Sequence, residues 1–161
     1  MDLSNYYISD LNENDLNRIE WSGSASHIRS VQSQLARVAS GEVEYITVRD
    51  EIGQPVAKGL VDHVRRKDGS EIGQMATHPN LQGNGLGTLL IAEAEKRIVA
   101  RGHKWALLGV EVENERARKL YERLGYRAHG SETDSWLAED ENGIEKMYYA
   151  DVLLMKKAVG N

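Results

Sequence analysis

Apolar positions along the chain switch between two periods, and the switches mark its elements. From Ser26, residues Ile28, Val31, Leu35 and Val38 recur at three- and four-residue spacing up to Gly41, which predicts an amphipathic helix. Leu86, Leu90, Ala94 and Ile98 form a second helical stripe, with Glu93 and Arg97 one turn apart on the other side and Gly102 as its stop. Asn114 is a good cap for a third helix reaching Leu124 and closed by Gly125, and Asn12 or Asn14 starts a short one ending near Ile19. Between these lie strand-like runs at Leu3–Asp10, Tyr45–Arg49, Pro55–Val64, Glu71–His78, Trp105–Val112, Tyr126–Leu137 and Lys146–Lys156. Trp105–Val112 is apolar enough to be covered on both faces. Polar turns at Asp50–Gly53, Arg65–Ser70 and Ala138–Gly143 separate neighbouring strands, and Trp21–Ser24 is a loop. With no repeat, low-complexity tract or linker, residues 1–161 read as one α/β domain on a central mixed, mostly antiparallel sheet. About seven strands and about four helices are expected.

Composition narrows the function classes. A net charge of −5 and a pI near 5.6 argue against a nucleic-acid-binding face. No apolar run approaches the roughly 18 residues of a membrane span. The stretch MDLSNYYISD lacks the features of a signal peptide, so a cytoplasmic location is expected. Cysteine is absent, which removes disulfides and thiolate nucleophiles, and the five histidines show no H-x-x-x-H pair, so no metal site is expected.

The chemistry concentrates at LQGNGLGTLL, Leu81–Leu90, where three glycines precede the second helix. Glycine-rich backbone at a helix N-terminus can close on an anion, with unpaired N–H groups and the helix dipole behind it. The spacing fits neither a dinucleotide G-x-G-x-x-G nor a P-loop, since no Lys follows Gly87. It is instead Gln-x-x-Gly-x-Gly, on Gln82, Gly85 and Gly87. Downstream, 29 residues after Gly85, runs Asn114-Glu-Arg-Ala117-Arg-Lys-Leu120-Tyr121-Glu-Arg-Leu-Gly125-Tyr126, and upstream stands Met75-Ala76-Thr77-His78-Pro79.

These motifs, in this order, resemble the GCN5-related N-acetyltransferase (GNAT) family over about Tyr45 to Tyr126. The resemblance implies a sheet splayed between two strands, with acetyl-CoA in the gap and direct attack of an amine on its thioester in a ternary complex. It places Met75, Ala76 and Thr77 along the pantetheine arm and acetyl carbonyl. Gln82, Gly83, Asn84, Gly85, Leu86, Gly87 and Thr88 fall around the pyrophosphate, and Asn114, Ala117 and Tyr121 complete the cofactor contacts. Asn114 is equally well explained as a helix cap. A CoA-binding module without activity remains the alternative, a longer acyl donor is not excluded, and a homodimer is left open.

The resemblance makes Tyr121 the candidate acid for the departing thiolate. It makes Glu71, eleven residues before Gln82, the candidate base. Simple strand parity would put Glu71 on the side of Gly73, Met75 and Thr77. Glu111 and Glu113 are rivals, and His78 is a weaker one. The acceptor, a small-molecule or peptide amine, is expected between Trp21–Ser26 and the segment Ser131–Glu145. That segment carries Glu132, Asp134, Glu139, Asp140, Glu141 and Glu145 with no Lys or Arg. It reads either as a solvated face or, with Trp21, Asp134 and Trp136 as substrate contacts, as a funnel for cationic amines.

Overall fold

In the computed structural model, which describes residues 2–160, the two periods resolve into one sheet with a helix on each face. The strands are β1 (Tyr7–Asp10), β2 (Val43–Arg49), β3 (Pro55–Asp62), β4 (Ser70–Thr77), β5 (Trp105–Glu111), β6 (Arg127–Glu139) and β7 (Glu145–Ala158). The helices are α1 (Ala25–Leu35), α2 (Leu86–Arg101) and α3 (Glu115–Arg123), with 3-10 helices at Glu13–Arg18, Glu20–Ser22 and Pro79–Leu81. Sheet order is β1-β2-β3-β4-β5-β7-β6, antiparallel except where β4 runs parallel to β5.

Alternation along β2 explains the two cores. Ile46 and Val48 point to the face covered by α2, where they meet Leu90, Ile91, Ile98 and Leu108. Val43 and Tyr45 point to the other face, with Val31 and Leu35 of α1. β2 is covered on both faces, with Glu44 its one partly exposed residue.

α1 stops six residues earlier than the apolar spacing predicts. Ser24 caps it by accepting from His27 N, and the chain turns after Leu35, leaving Val38 40% exposed. The turn is tied down by Arg37, which donates to Glu42 and Asp62 at 2.9 and 2.8 Å. The short helix after β1 is 3-10, capped by Asn12 rather than Asn14.

Two irregularities shape the centre of the sheet. β4 and β5 pair only from Ser70–Ile72 to Ala106–Leu108, although β4 continues along β3 and β5 along β7, so the two strands diverge into a wedge. Beyond the last pair, β4 bulges. Gln74 adopts a left-handed φ of 49°, and the register against β3 shifts between Lys58 and Leu60. The extra residue breaks strand parity. Glu71 and Gly73 face the α1 side, whereas Met75 packs with Ile72 into the α2 core, so Glu71 and Met75 do not share a side. β5 also departs from expectation: Gly109 and Glu111 are exposed, because the α1 face of its second half borders a cavity rather than a core.

Candidate active site

The glycine turn is built for close approach. Gly83 and Gly85 have φ of 79° and 90°, the left-handed region that glycine enters without strain. Gly85 is the N-cap of α2 and supplies no side chain to its free N–H groups. Gly87 sits in the first helical turn with ordinary backbone, and a Cβ there would meet nothing within 4 Å. Its missing side chain is therefore not required by packing and leaves the α2 N-terminus open. Asn84 turns inward, donating to the Leu81 carbonyl at 3.0 Å, while Gln82 donates to the Thr77 carbonyl at 3.4 Å. These side chains brace the turn from within.

Sequence reading missed Arg116. Its Nη2 lies 3.5 Å from the position of a Cβ on Gly83, so α3 brings an exposed guanidinium to the mouth of the glycine turn. Arg116 lies inside the Asn114–Tyr126 motif, but only the approach of α3 to the turn places it beside Gly83. Asn114 caps α3, accepting from Ala117 N at 3.1 Å. Tyr121 packs against the α2 core, edge-on to Tyr126. Burial pushes its phenol above the usual range, so it holds its proton at neutral pH.

The wedge connects this mouth to the opposite face. His78 N donates to the Val56 carbonyl, so by strand alternation the backbone groups of Thr77 and Met75 face the open edge of β4. On the α1 side the wedge opens into a cavity of about 1230 Å³. Gly73 borders it with no atom within 4 Å of a notional Cβ. Across the wedge, Gly109 is needed for packing: a Cβ would come within 2.6 Å of Val152.

Charges in the cavity are mostly paired. Glu71 accepts from Arg65 at 2.8 Å and Arg66 at 2.6 Å, and Arg66 also reaches Glu132 at 2.7 Å. Arg29 holds Glu145 at 2.6 Å, and Glu139 accepts from Ser26 N and Oγ at the start of α1. Asp140 is spent on its own turn, accepting from Asn142 N and Ile144 N. Of the six acidic residues in Ser131–Glu145, Asp134 is the one that lines the cavity without an ion pair among the described residues. Glu111 joins it from β5. Trp136 lines the same wall, but Trp21 does not; it packs into the α1 core and tilts over His78, ring centroids 5.5 Å apart. No group of three metal-ligating side chains occurs among the described residues.

Relatives share this frame. Over 66 residues the chain is 33% identical to an uncharacterised N-acetyltransferase of Methanocaldococcus jannaschii, a match covering 41% of this chain and 29% of that protein. The chain spans less than a third of the length of the curated relatives it matches. Among solved structures it superimposes on the ribosomal-protein-S18-alanine N-acetyltransferase of Escherichia coli with a TM-score of 0.74 at 20% identity, over 97% of this chain and 95% of that one. It superimposes equally well, at 18% identity, on the spermidine N-acetyltransferase of Vibrio cholerae, with coverage of 97% and 96%. At these identities the structures establish the fold alone. The family described as FR47-like protein matches residues 53–137, more than half of the chain. By that match and by the open-wedge fold, the chain belongs to the FR47-like branch of the GCN5-related N-acetyltransferases.

Proposed function

We propose that this protein transfers an acetyl group from acetyl-CoA to a primary amine, by direct attack on the thioester inside the β4–β5 wedge. The observation that carries the reading is the wedge itself. It joins an open, basic anion mouth at Gly83–Thr88 and Arg116 to a separate polar cavity, so donor and acceptor can enter from opposite faces and meet in the middle. The Vibrio cholerae spermidine N-acetyltransferase, solved with CoA and spermine, supports both the donor and a cationic acceptor.

When bound, acetyl-CoA supplies the activated acyl group. The chain's residues do the rest. N–H groups of the glycine turn and α2 N-terminus bind the pyrophosphate, and the open edge of Met75 and Thr77 aligns the arm. Tyr121, kept protonated by burial, donates to the leaving thiolate. Asp134 and Glu111 attract the acceptor's ammonium, with Trp136 beside them. Glu71 is the less suited base, because both of its carboxylate oxygens already accept from arginines, Oε1 from Arg65 and Oε2 from Arg66.

Free-thiol release from acetyl-CoA, measured against polycationic, neutral and anionic amines, tests the reading. Release is expected with polycations such as spermidine and should weaken with salt. Tyr121→Phe should lower kcat by about 10²-fold with little change in KM for acetyl-CoA. Gly87→Val should raise that KM while the fold persists, since its Cβ meets no protein atom. Tight CoA binding without thiol release toward any amine would support the non-catalytic binding module instead.

A further inference from the structure

A buried basic side chain stands directly behind the acceptor cavity with no anion beside it among the described residues. Lys58 on β3 is 0% exposed. Its Nζ meets three uncharged partners: His27 Nε2 at 3.0 Å, the Gln74 carbonyl at 2.9 Å and Tyr45 Oη at 3.1 Å. Those partners come from α1, β4 and β2, the elements packed around it, and the only other titratable groups among them are the His27 imidazole and the Tyr45 phenol. Tyr45 donates onward to Gln74 Oε1 at 2.8 Å, and Gln74 Nε2 donates to Ser30 Oγ at 2.9 Å. The left-handed bulge residue Gln74 is thus held at both its carbonyl and its side chain.

His27 and Gln74 line the cavity, so one imidazole separates Lys58 from the acceptor. The ring is firmly placed. Gly23 lies so close that a Cβ would come within 2.8 Å of it, and Nε2 is fixed by Lys58. Nδ1 has no protein hydrogen bond among the described residues. The charged groups of the cavity wall on that side, Arg29 on α1 and Arg37 in the turn after it, are each occupied by carboxylates.

We propose that His27 and Lys58 form a relay that takes the proton from the acceptor's ammonium. His27 Nδ1 accepts the proton from the cavity, directly or through one water, while the Nε2 proton passes to the Lys58 amine. An ammonium, a His27 carrying its proton on Nε2 and a neutral Lys58 become a free amine, a His27 carrying its proton on Nδ1 and a Lys58 ammonium. One N–H bond breaks and one forms at each transfer, and the total charge is unchanged. The freed lone pair then attacks the thioester. No imidazolium persists at the end of the relay, in keeping with the environment: burial, followed by the charge on Lys58, brings His27 down to about 4. Burial brings Lys58 down to about 7, so a neutral amine is available to receive the proton near neutral pH. After product leaves, the reverse path returns the proton to water.

The inference rests on the acetyl-transfer reading, but its first test needs no turnover. Nitrogen-15 NMR of histidine-labelled protein reports which ring nitrogen carries the proton, with His27→Gln identifying the signals. Wild-type His27 is expected to exchange from the Nδ1–H to the Nε2–H form with a midpoint at about 7, and Lys58→Met should abolish the transition. A single tautomer between about pH 5.5 and 9 overturns the relay, as does an unaltered transition in Lys58→Met. Should Lys58→Met not fold, the wild-type titration still decides, and Lys58→Arg, which keeps the charge and cannot release it, replaces it. With spermidine as acceptor, kcat/KM should rise through pH 7 in the wild type and fall about 10²-fold in His27→Gln. A wild-type limb that survives in His27→Gln sinks the catalytic role. Absence of thiol release from the wild type would overturn the acetyl-transfer reading and the relay's catalytic use with it, while the NMR midpoint judges the proton-sharing pair separately.

Discussion

Arg49 and Lys58 lie on neighbouring strands, both nearly removed from water, and the fold treats them in opposite ways. All five guanidinium N–H groups of Arg49 are used. Two go to the Asp15 carboxylate at 2.9 and 2.8 Å, one to Ser9 Oγ at 2.6 Å, and two to the carbonyls of Gly53 and Asp10. Asp15 also accepts from Arg18 and from Asn12 N, so the cluster staples β1, β2 and the first 3-10 helix together. Lys58 is buried still more completely and has no carboxylate partner among the described residues. A buried cation with a matched anion is fixed in its charged state and serves as structure; one with neutral acceptors keeps two accessible states. The difference lies in the partners, since both side chains are basic and both are buried.

The largest effect is expected from breaking the compensated site. Asp15→Asn leaves Arg49 buried without its counter-charge and should destabilise the protein by about 3–5 kcal/mol, read from urea unfolding at neutral pH. A loss below 1 kcal/mol would mean that water reaches Arg49.

The uncompensated site should show itself as a pH slope. The folded-state pKa of Lys58 lies at about 7, below the ordinary 10.5, so the unfolded chain binds the extra proton between these values. Stability from this group is therefore greatest above pH 10.5, falls as the pH drops to 7 and is level below that. The difference in unfolding free energy between wild type and Lys58→Met should change by up to about 5 kcal/mol across that window. A constant difference would show that Lys58 titrates as it does in water.

Smaller, and confined to a lower pH window, is the acid limb of Asp15. Burial pushes its carboxyl up, but hydrogen bonds from Arg49, Asn12 N and Arg18 outweigh it and hold the group at about 2, against an ordinary 3.8. The stability this provides is complete above pH 4 and is lost as the pH falls through 2, about 2 kcal/mol in all. Acid titration of unfolding should show that loss in the wild type and not in Asp15→Asn.

What the sequence disclosed follows the range of the interactions. The α2 stop at Gly102 and the α3 stop at Gly125, with φ of 92° and 100°, are local devices and were readable. So was the Asn114 cap, made three residues away. The glycine turn declared itself through its spacing. Lys58 did not, because its partners lie 31, 13 and 16 residues away in the chain. The bulge at Gln74 was equally hidden, since nothing in a glutamine announces a left-handed backbone, and it undid the parity argument for Glu71 and Met75. The acidic run Ser131–Glu145 was plain in composition, but its neutralisation by Arg29, Arg66 and the start of α1 depends on tertiary neighbours.

The brevity of the β4–β5 pairing also has a mechanical meaning. Three rungs join the plate β1–β4 to the plate β5–β7–β6, so the strand ladder has a seam across its middle. On the α2 face the seam is spanned by a shared core in which Ile72 meets Leu108 and Met155; on the α1 face it lies open to the cavity. A load applied between the plates concentrates there. A molecule whose amides bonded the free edges of both strands would act as a rivet, and under the proposed reaction each turnover would withdraw the rivet and set another. Rigidity of the sheet and occupancy of the site are then one property, and backbone amide exchange in β5 and β7 should slow whenever the seam is filled.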